Sequence, residues 1–172
     1  MANKHLILGG ARSGKSSLAE RLAQDIADTQ HKQLIYIATA QAGDDEMAER
    51  IQRHQNSRRA DWHLIEQSID LATELNNATN QQCVLIDCLT LWLSNCLHRD
   101  CWAEQKALFL NAIQGCAADV IMVSNEVGSG IVPMGELSRL FVDECGWLHQ
   151  ELGATCDQVS LVVAGLRMPL KE

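Results

Sequence analysis

The chain has 172 residues, a usual length for one domain with a substantial hydrophobic core. Hydrophobic residues make up 47% of it, which excludes a disordered chain, and the formal net charge of −8 disfavours a surface that binds nucleic acid or an anionic membrane. Neither an N-terminal signal segment nor an apolar run of membrane-spanning length is visible, so we expect a cytoplasmic protein without a membrane span.

The first predicted elements are a strand at His5–Leu8 and a helix whose apolar stripe is Leu18, Leu22 and Ile26. Between them lies the segment Gly9–Ser16, with the sequence GGARSGKS. It has the G-x-x-x-x-G-K-[ST] pattern, and a strand before it with a helix after it is the context that a phosphate-binding loop requires. The sequence therefore predicts a nucleoside triphosphate site.

Each residue type in this loop suits the binding of phosphate or of its metal ion. Glycines let several backbone N–H groups point at one phosphate, and the helix N-terminus adds a partial positive charge. Lys15 is placed to reach the outer phosphates as a catalytic residue, and the Ser16 hydroxyl is placed to bind Mg²⁺. The predicted phosphate contacts are Gly9, Gly10, Ala11, Arg12, Ser13, Gly14, Lys15 and Ser16.

The next strand is predicted at Leu34–Ala38, and Thr39–Gln41 follows its carboxyl end, where ligands bind in open α/β sheets. A helix is predicted over Glu46–His54, and a short strand over Trp62–Ile65 that ends at Glu66.

The apolar run Cys83–Ile86 ends in Asp87, the form of a buried strand that delivers a carboxylate to the Mg²⁺ beside the phosphates. Many buried strands end in an aspartate at a turn, so this signal is weak by itself. The phosphate loop upstream favours the metal role for Asp87.

Strands and helices alternate along the rest of the chain, which predicts an α/β fold with a mainly parallel sheet flanked by helices, in a single domain over residues 1–172. Gly128 and Gly130 either allow close approach to a ligand or form a turn. The further predicted elements are helices at Ile69–Leu75, Leu89–Leu97, Trp102–Cys116 and Met134–Leu152, the last with Leu137, Leu140, Phe141 and Leu148 on its apolar side, and strands at Asp119–Val123 and Val159–Ala164.

The seven cysteines contain no C-x-x-C pair. We expect free thiols packed as small hydrophobic side chains, and we favour this over a metal cluster.

Several blocks, in order along nearly the whole chain, resemble the bifunctional adenosylcobinamide kinase/adenosylcobinamide-phosphate guanylyltransferase family. The glycine loop is shared by many unrelated proteins, whereas the blocks around residues 50–54 and 124–128 are far more diagnostic. The matching blocks are residues 9–16, 36–40 (YIATA), 45–47 (DEM), 50–54 (RIQRH), 87–93 (DCLTLWL), 124–133 (SNEVGSGIVP) and 162–166 (VVAGL).

This resemblance implies two reactions. The terminal phosphate of ATP or GTP is transferred to the hydroxyl of the aminopropanol arm of adenosylcobinamide, and GMP from GTP is then joined to that phosphate with release of pyrophosphate. The resemblance also implies a RecA-type P-loop fold and a homotrimer. It places nucleotide contacts on the phosphate loop and on Thr39, Ala40, Gln41, Gln55, Asn56, Ser57, Arg58, Glu66 and Asp87.

The same resemblance places a guanylylated nucleophile at His54. A neutral imidazole is a suitable nucleophile near neutral pH, and the phosphoramidate that it forms transfers readily to a phosphate oxygen. Glu46 or a backbone carbonyl could orient the ring, and nearby arginines could neutralise charge on the phosphates. Without the resemblance, a solvated helix histidine would be the better interpretation of His54.

Two alternatives stay open from the sequence. One is a small-molecule P-loop kinase with a single activity, in which His54 only contacts substrate. The other is a nucleotide-gated regulatory module with a protein partner.

Overall fold

A computed structural model of the chain describes residues 2–40 and 62–172. The predicted helix over 46–54, with His54, lies outside the described residues. The described strands are β1 (Lys4–Gly9), β2 (Gln33–Ala38), β3 (His63–Glu66), β4 (Gln82–Asp87), β5 (Asp119–Asn125), β6 (Gln158–Val163) and β7 (Leu166–Lys171). The described helices are α1 (Lys15–Gln30), α2 (Leu71–Asn77), α3 (Leu89–His98), α4 (Trp102–Gly115) and α5 (Glu136–Thr155).

The described strands form one sheet in the order β3-β2-β4-β5-β1-β6-β7. Every neighbouring pair is parallel except β6 and β7. This confirms the predicted α/β class and mainly parallel sheet. The parallel arrangement brings the carboxyl ends of β1, β2, β4 and β5 to one edge, where the phosphate loop begins and β4 ends in Asp87.

The β7 strand was not predicted. It pairs antiparallel with β6 after a tight turn in which Ala164 and Gly165 both have positive φ. All six of its residues are exposed. Leu166, Met168 and Leu170 do alternate with non-apolar residues, but Pro169 lies within the run, and a proline argues against a strand or restricts it to a sheet edge.

Helix α1 packs against the sheet through alanines. Ala19, Ala23 and Ala27 are buried, whereas the predicted stripe of leucine and isoleucine is only partly buried beside them. Small side chains let this helix lie close to the sheet, and the larger apolar residues fill the margins of the contact. The face of α1 that packs on the sheet is therefore one residue later than predicted, at Ala19, Ala23 and Ala27.

Helix α5 begins at Glu136 rather than Met134, and only part of its predicted apolar side faces the core. Cys145, Leu148 and Leu152 are buried, but Leu137 and Leu140 are 55% and 43% exposed. The buried positions of α5 begin at Cys145, so the amphipathic pattern before that residue lies mainly on the surface.

The cysteines are all free thiols, as predicted, and all are buried except the half-buried Cys101. Burial raises the pKa of Cys83, Cys96 and Cys156 to about 12, and that of Cys145 to about 11. Within the described ranges, no group of three or more His, Cys, Asp or Glu side chains could hold a metal ion by itself.

No helix among the described residues is both long enough and apolar enough to cross a lipid bilayer.

Candidate active site

The phosphate loop is held by its own backbone. Gly14 has a φ of 97°, a left-handed conformation that favours glycine, and it precedes the first residue of α1. The Ser13 N–H donates to the Gly10 carbonyl at 3.3 Å, and the Leu18 N–H donates to the Gly14 carbonyl at 3.0 Å. The loop therefore turns directly into a helix N-terminus, the arrangement that binds phosphate.

The loop is also held from outside. A Cβ atom at Gly9 would lie 2.5 Å from the Ser13 Oγ and 2.7 Å from the Val162 carbonyl oxygen, so only glycine fits there. The Gly165 N–H, in the β6–β7 turn, donates to the Ser13 carbonyl at 2.8 Å. The unpredicted hairpin thus supports the predicted loop.

Lys15 is buried, and its ammonium group lies over the loop. Its Nζ donates to the Gly10 carbonyl at 3.0 Å, which places the positive charge against the backbone of the loop. Ser16 follows on the first turn of α1 and is half-buried, and Arg12 is exposed with a φ of 54°. Lys15 is thus placed beside any phosphate that the loop binds.

Asp87 lies two strands away from the loop, at the carboxyl end of β4. It is only 4% exposed, yet it forms no ion pair with any residue of the described ranges. The Tyr36 hydroxyl donates to its Oδ2 at 3.1 Å, and its other carboxylate oxygen accepts no hydrogen bond from a described residue. A buried carboxylate normally needs a cation.

These residues fit a Mg²⁺ ion. Carboxylate and hydroxyl oxygens are hard ligands of the kind that Mg²⁺ takes, and Mg²⁺ usually fills its remaining positions with water and substrate phosphate rather than with protein. The second carboxylate oxygen of Asp87 and the Ser16 hydroxyl supply such ligands.

Thr39 fastens the end of β2 to the turn after Asp87. Its Oγ1 donates to the Cys88 carbonyl and accepts from the Cys88 N–H, both at 2.8 Å, and the side chain is fully buried. Asn95 of α3 donates to the Thr39 carbonyl at 2.8 Å. The Thr39 hydroxyl therefore has a positioning role next to Asp87. Ala40 follows, and the exposed Glu66 pairs in register with Ala38 on the other side of β2.

The end of β5 and helix α5 place further polar residues beside the loop. The Glu126 N–H donates to the Gly9 carbonyl at 3.0 Å, and the Glu126 carboxylate accepts from the Gly128 N–H at 2.7 Å. This hydrogen bond fits the turn that was one of the two alternatives for Gly128. His149 of α5 lies 2.8 Å from Ser124 Oγ, and burial lowers the pKa of this histidine.

The described part of the predicted site thus converges on one edge of the sheet: the phosphate loop, Thr39, Ala40, Glu66 and Asp87. Tyr36 begins the YIATA block but was not predicted as a site residue, although a single tyrosine within an aliphatic strand was a usable signal. The predicted site residues that lie outside the described residues are Gln41, His54, Gln55, Asn56, Ser57 and Arg58.

A family model described as cobinamide kinase / cobinamide phosphate guanyltransferase matches residues 5–170. The chain belongs to this family. It is 50% identical over 173 residues to the bifunctional adenosylcobalamin biosynthesis protein CobP of Pseudomonas aeruginosa, covering 98% of this chain and 97% of that protein. It is 39% identical over 183 residues to the bifunctional adenosylcobalamin biosynthesis protein CobU of Salmonella typhimurium, covering 96% and 98% of the two chains.

The family confirms the predicted resemblance and the predicted pair of activities. The chain is an enzyme of the cobinamide kinase and cobinamide phosphate guanylyltransferase type, and this supports the bifunctional interpretation over the single-activity kinase and the regulatory module.

Solved structures agree on the fold alone. The flagellar accessory protein FlaH of Methanocaldococcus jannaschii superposes with a TM-score of 0.55 at 12% identity, covering 98% of this chain and 78% of that one. A second solved structure, an ATPase domain, gives a TM-score of 0.51 at 14% identity, covering 92% of this chain and 68% of that one. Together with the glycine loop, these likenesses confirm the predicted α/β P-loop fold.

Proposed function

We propose that this chain, acting as one nucleotide-binding domain, phosphorylates adenosylcobinamide with ATP or GTP and then guanylylates the product with GTP. The observation that carries the proposal is the convergence of Lys15, Ser16 and Asp87 on one edge of the sheet. A cation, a hydroxyl and a carboxylate that forms no ion pair with a described residue suit the phosphates of one nucleotide and its metal.

In the kinase step, the substrate hydroxyl attacks the γ-phosphorus and the nucleoside diphosphate leaves. The backbone N–H groups of the loop and the Lys15 ammonium bind the β- and γ-phosphates and stabilise the charge that develops on them. Ser16 and the second carboxylate oxygen of Asp87 would hold Mg²⁺, which neutralises phosphate charge when it is bound.

In the guanylyl step, His54 attacks the α-phosphorus of GTP through a neutral ring nitrogen, and the α–β phosphoanhydride bond breaks to release pyrophosphate. A phosphate oxygen of adenosylcobinamide phosphate then attacks the same phosphorus, breaks the P–N bond and frees the histidine. The products are adenosyl-GDP-cobinamide and the original enzyme. The family membership and the RIQRH block support this role for His54.

The remaining nucleotide contacts are proposed on the same resemblance. They comprise the loop residues Gly9 to Ser16, and Thr39, Ala40, Gln41, Gln55, Asn56, Ser57, Arg58, Glu66 and Asp87. For Thr39 the buried hydroxyl is already used by Cys88, so we propose that it contributes through its backbone and by positioning its neighbours.

The experiment that tests this function assays the two reactions separately in two variants. Lys15→Ala should lose the kinase reaction, whereas His54→Ala should lose guanylylation of supplied adenosylcobinamide phosphate and keep part of the kinase rate. His63→Ala, at an exposed histidine of β3, is the matched control and should keep both activities. A full guanylyltransferase rate in His54→Ala would contradict the proposal.

We propose cytoplasmic action on small molecules, without a nucleic-acid partner. The free thiols of all seven cysteines are typical of a reducing compartment, and the net charge of −8 disfavours nucleic acid.

A homotrimer is proposed on the resemblance, supported by exposed apolar side chains between β5 and α5. Ile131 and Met134 are 97% and 96% exposed, which is costly on an isolated surface. We expect light scattering to give three times the chain mass, and a double variant Ile131→Lys with Met134→Lys to give the monomer mass. Leu108→Lys, at an exposed leucine of α4, should leave the trimer intact. A monomeric mass for the unaltered chain would contradict the trimer.

A further inference from the structure

Tyr36 is an unusual residue in its strand. It is the chain's single tyrosine, it lies in the middle of β2 among aliphatic side chains, and it is only 6% exposed. A buried phenol needs a hydrogen-bond partner, and this one finds it in the neighbouring strand.

That partner is Asp87. The register pairs Ala38 with Asp87, and Tyr36 lies two residues before Ala38, so its side chain is on the same face of β2 as that of Ala38 and its hydroxyl can reach one strand across. The hydroxyl donates to Asp87 Oδ2 at 3.1 Å. The ring is fixed in turn by Trp62, which meets it edge-on with the ring centroids 5.8 Å apart and an interplanar angle of 87°.

We propose that Tyr36 is a positioning residue for metal binding. Its hydrogen bond holds one carboxylate oxygen of Asp87, stops rotation of the carboxylate about its Cβ–Cγ bond, and leaves the other oxygen directed to Mg²⁺. This positioning role rests on the proposed function, because the role requires Asp87 to be a metal ligand. Residues that donate hydrogen bonds to metal-binding carboxylates commonly orient them in this way.

A purely structural role would give a different result. If the hydroxyl only satisfied a buried carboxylate, its loss would lower stability and leave metal affinity unchanged in the folded protein. The measurement must therefore report metal binding directly and not only activity.

The test uses Mn²⁺ with β,γ-imido-ATP, which cannot transfer its γ-phosphate, and follows free Mn²⁺ by electron paramagnetic resonance. We expect Tyr36→Phe to weaken Mn²⁺ binding about tenfold, the order seen when a metal ligand loses its outer partner. Nucleotide affinity in EDTA should change less than about twofold. In kinase assays, the Mg²⁺ concentration for half-maximal rate should rise in parallel, and the rate at saturating Mg²⁺ should largely recover.

Two controls separate the possible causes. Ser160→Ala removes another buried, hydrogen-bonded hydroxyl that lies on β6, away from Asp87, and should leave Mn²⁺ affinity unchanged. Replacement of Tyr36 by p-aminophenylalanine keeps the ring and a hydrogen-bond donor, and should restore Mn²⁺ affinity to within about twofold, which also covers the case in which Tyr36→Phe fails to fold.

Asp87→Asn separates failure of this inference from failure of the proposed metal site. It should weaken Mn²⁺ binding more than Tyr36→Phe does, and adding Tyr36→Phe to it should have no further effect. If Asp87→Asn weakens Mn²⁺ binding but Tyr36→Phe does not, the positioning role is wrong. If neither change weakens it, Asp87 is not a metal ligand and both proposals fail.

Discussion

The two halves of the described site are built in different ways. The phosphate loop is one continuous segment, shaped by glycine conformations and by backbone hydrogen bonds, some within the loop and others from the Gly165 and Glu126 N–H groups. The Asp87 side is assembled from side chains on different strands: 51 residues separate Tyr36 from Asp87, and 56 separate Thr39 from Asn95. The comparison shows that the loop is shaped by its backbone, whereas the Asp87 carboxylate is held by side chains that are distant in the sequence.

The largest expected effect is in the loop. Lys15→Ala removes the ammonium group that lies over the Gly10 carbonyl, so the kinase rate should fall at least about a hundredfold, the scale seen when one preorganised charge-stabilising donor is lost. Steady-state kinetics with saturating adenosylcobinamide measures this. Since Lys15 acts through charge, Lys15→Met should match Lys15→Ala; a kinase rate within about tenfold of the unaltered enzyme would contradict the role.

The next prediction tests whether the loop depends on backbone geometry. Gly9→Ala places a Cβ against Ser13 Oγ and the Val162 carbonyl, so it should lower the free energy of unfolding by roughly 1–3 kcal/mol. Gly10→Ala meets nothing within 4 Å and should change stability by less than about 0.5 kcal/mol. Urea denaturation without nucleotide measures the unfolding free energy of both variants. Equal losses would show that the close packing at Gly9 does not require glycine.

The Asp87 side should be sensitive to side-chain chemistry instead. Thr39→Val keeps the shape but removes the hydroxyl to which the buried Cys88 N–H donates and from which the Cys88 carbonyl accepts, which should cost about 1–3 kcal/mol of unfolding free energy. Thr155→Val removes an exposed hydroxyl on α5 and should cost less than about 0.5 kcal/mol. A loss no larger than that of the control would mean that the Thr39 hydroxyl does not hold this turn.

The smallest expected effect lies on β1, upstream of the loop. Burial, with the positive Arg167 as a lesser cause, lowers the pKa of His5 to about 4, and its ring lies 2.9 Å from Ser160 Oγ. Between about pH 6.5 and 4 the unfolded chain binds a proton at His5 that the folded chain does not, so stability falls as pH falls, by about 1–2 kcal/mol from about pH 7.5 to 5.

His5→Gln should flatten that profile, because the replacement does not titrate. Urea denaturation at several pH values measures the difference between the variant and the unaltered chain, which cancels the contribution of His149. Identical pH profiles would show that His5 is protonated equally in both states.

The difference between the phosphate loop and the Asp87 side also explains which features could be predicted from the sequence. The loop was found because its signal is local: glycines, a lysine and a serine at fixed spacing between a strand and a helix. Asp87 was found because a buried strand ends in it. The parallel sheet followed from apolar runs alternating with helical patterns, and the structure confirms it.

What was missed depends on distant contacts or on a local pattern that fits more than one structure. Tyr36 gains its role from Asp87 in another strand, and no spacing along the chain shows that pairing. Leu137 carries a helical pattern identical to that of a core-facing leucine, yet it faces outward. The β7 segment alternates apolar and non-apolar residues, but Pro169 within it argues against a strand, so its pairing with β6 became clear only from the structure.

The site that transfers the γ-phosphate is proposed also to expose the α-phosphorus of GTP to His54. The most direct measurement incubates the enzyme with GTP labelled at the α-phosphorus and isolates the protein. We predict a covalent label that is acid-labile and base-stable, as a phosphoramidate is, and that is absent from His54→Ala but present in His63→Ala. A label that persists in His54→Ala, or no label on the unaltered enzyme while guanylylation proceeds, would contradict the account.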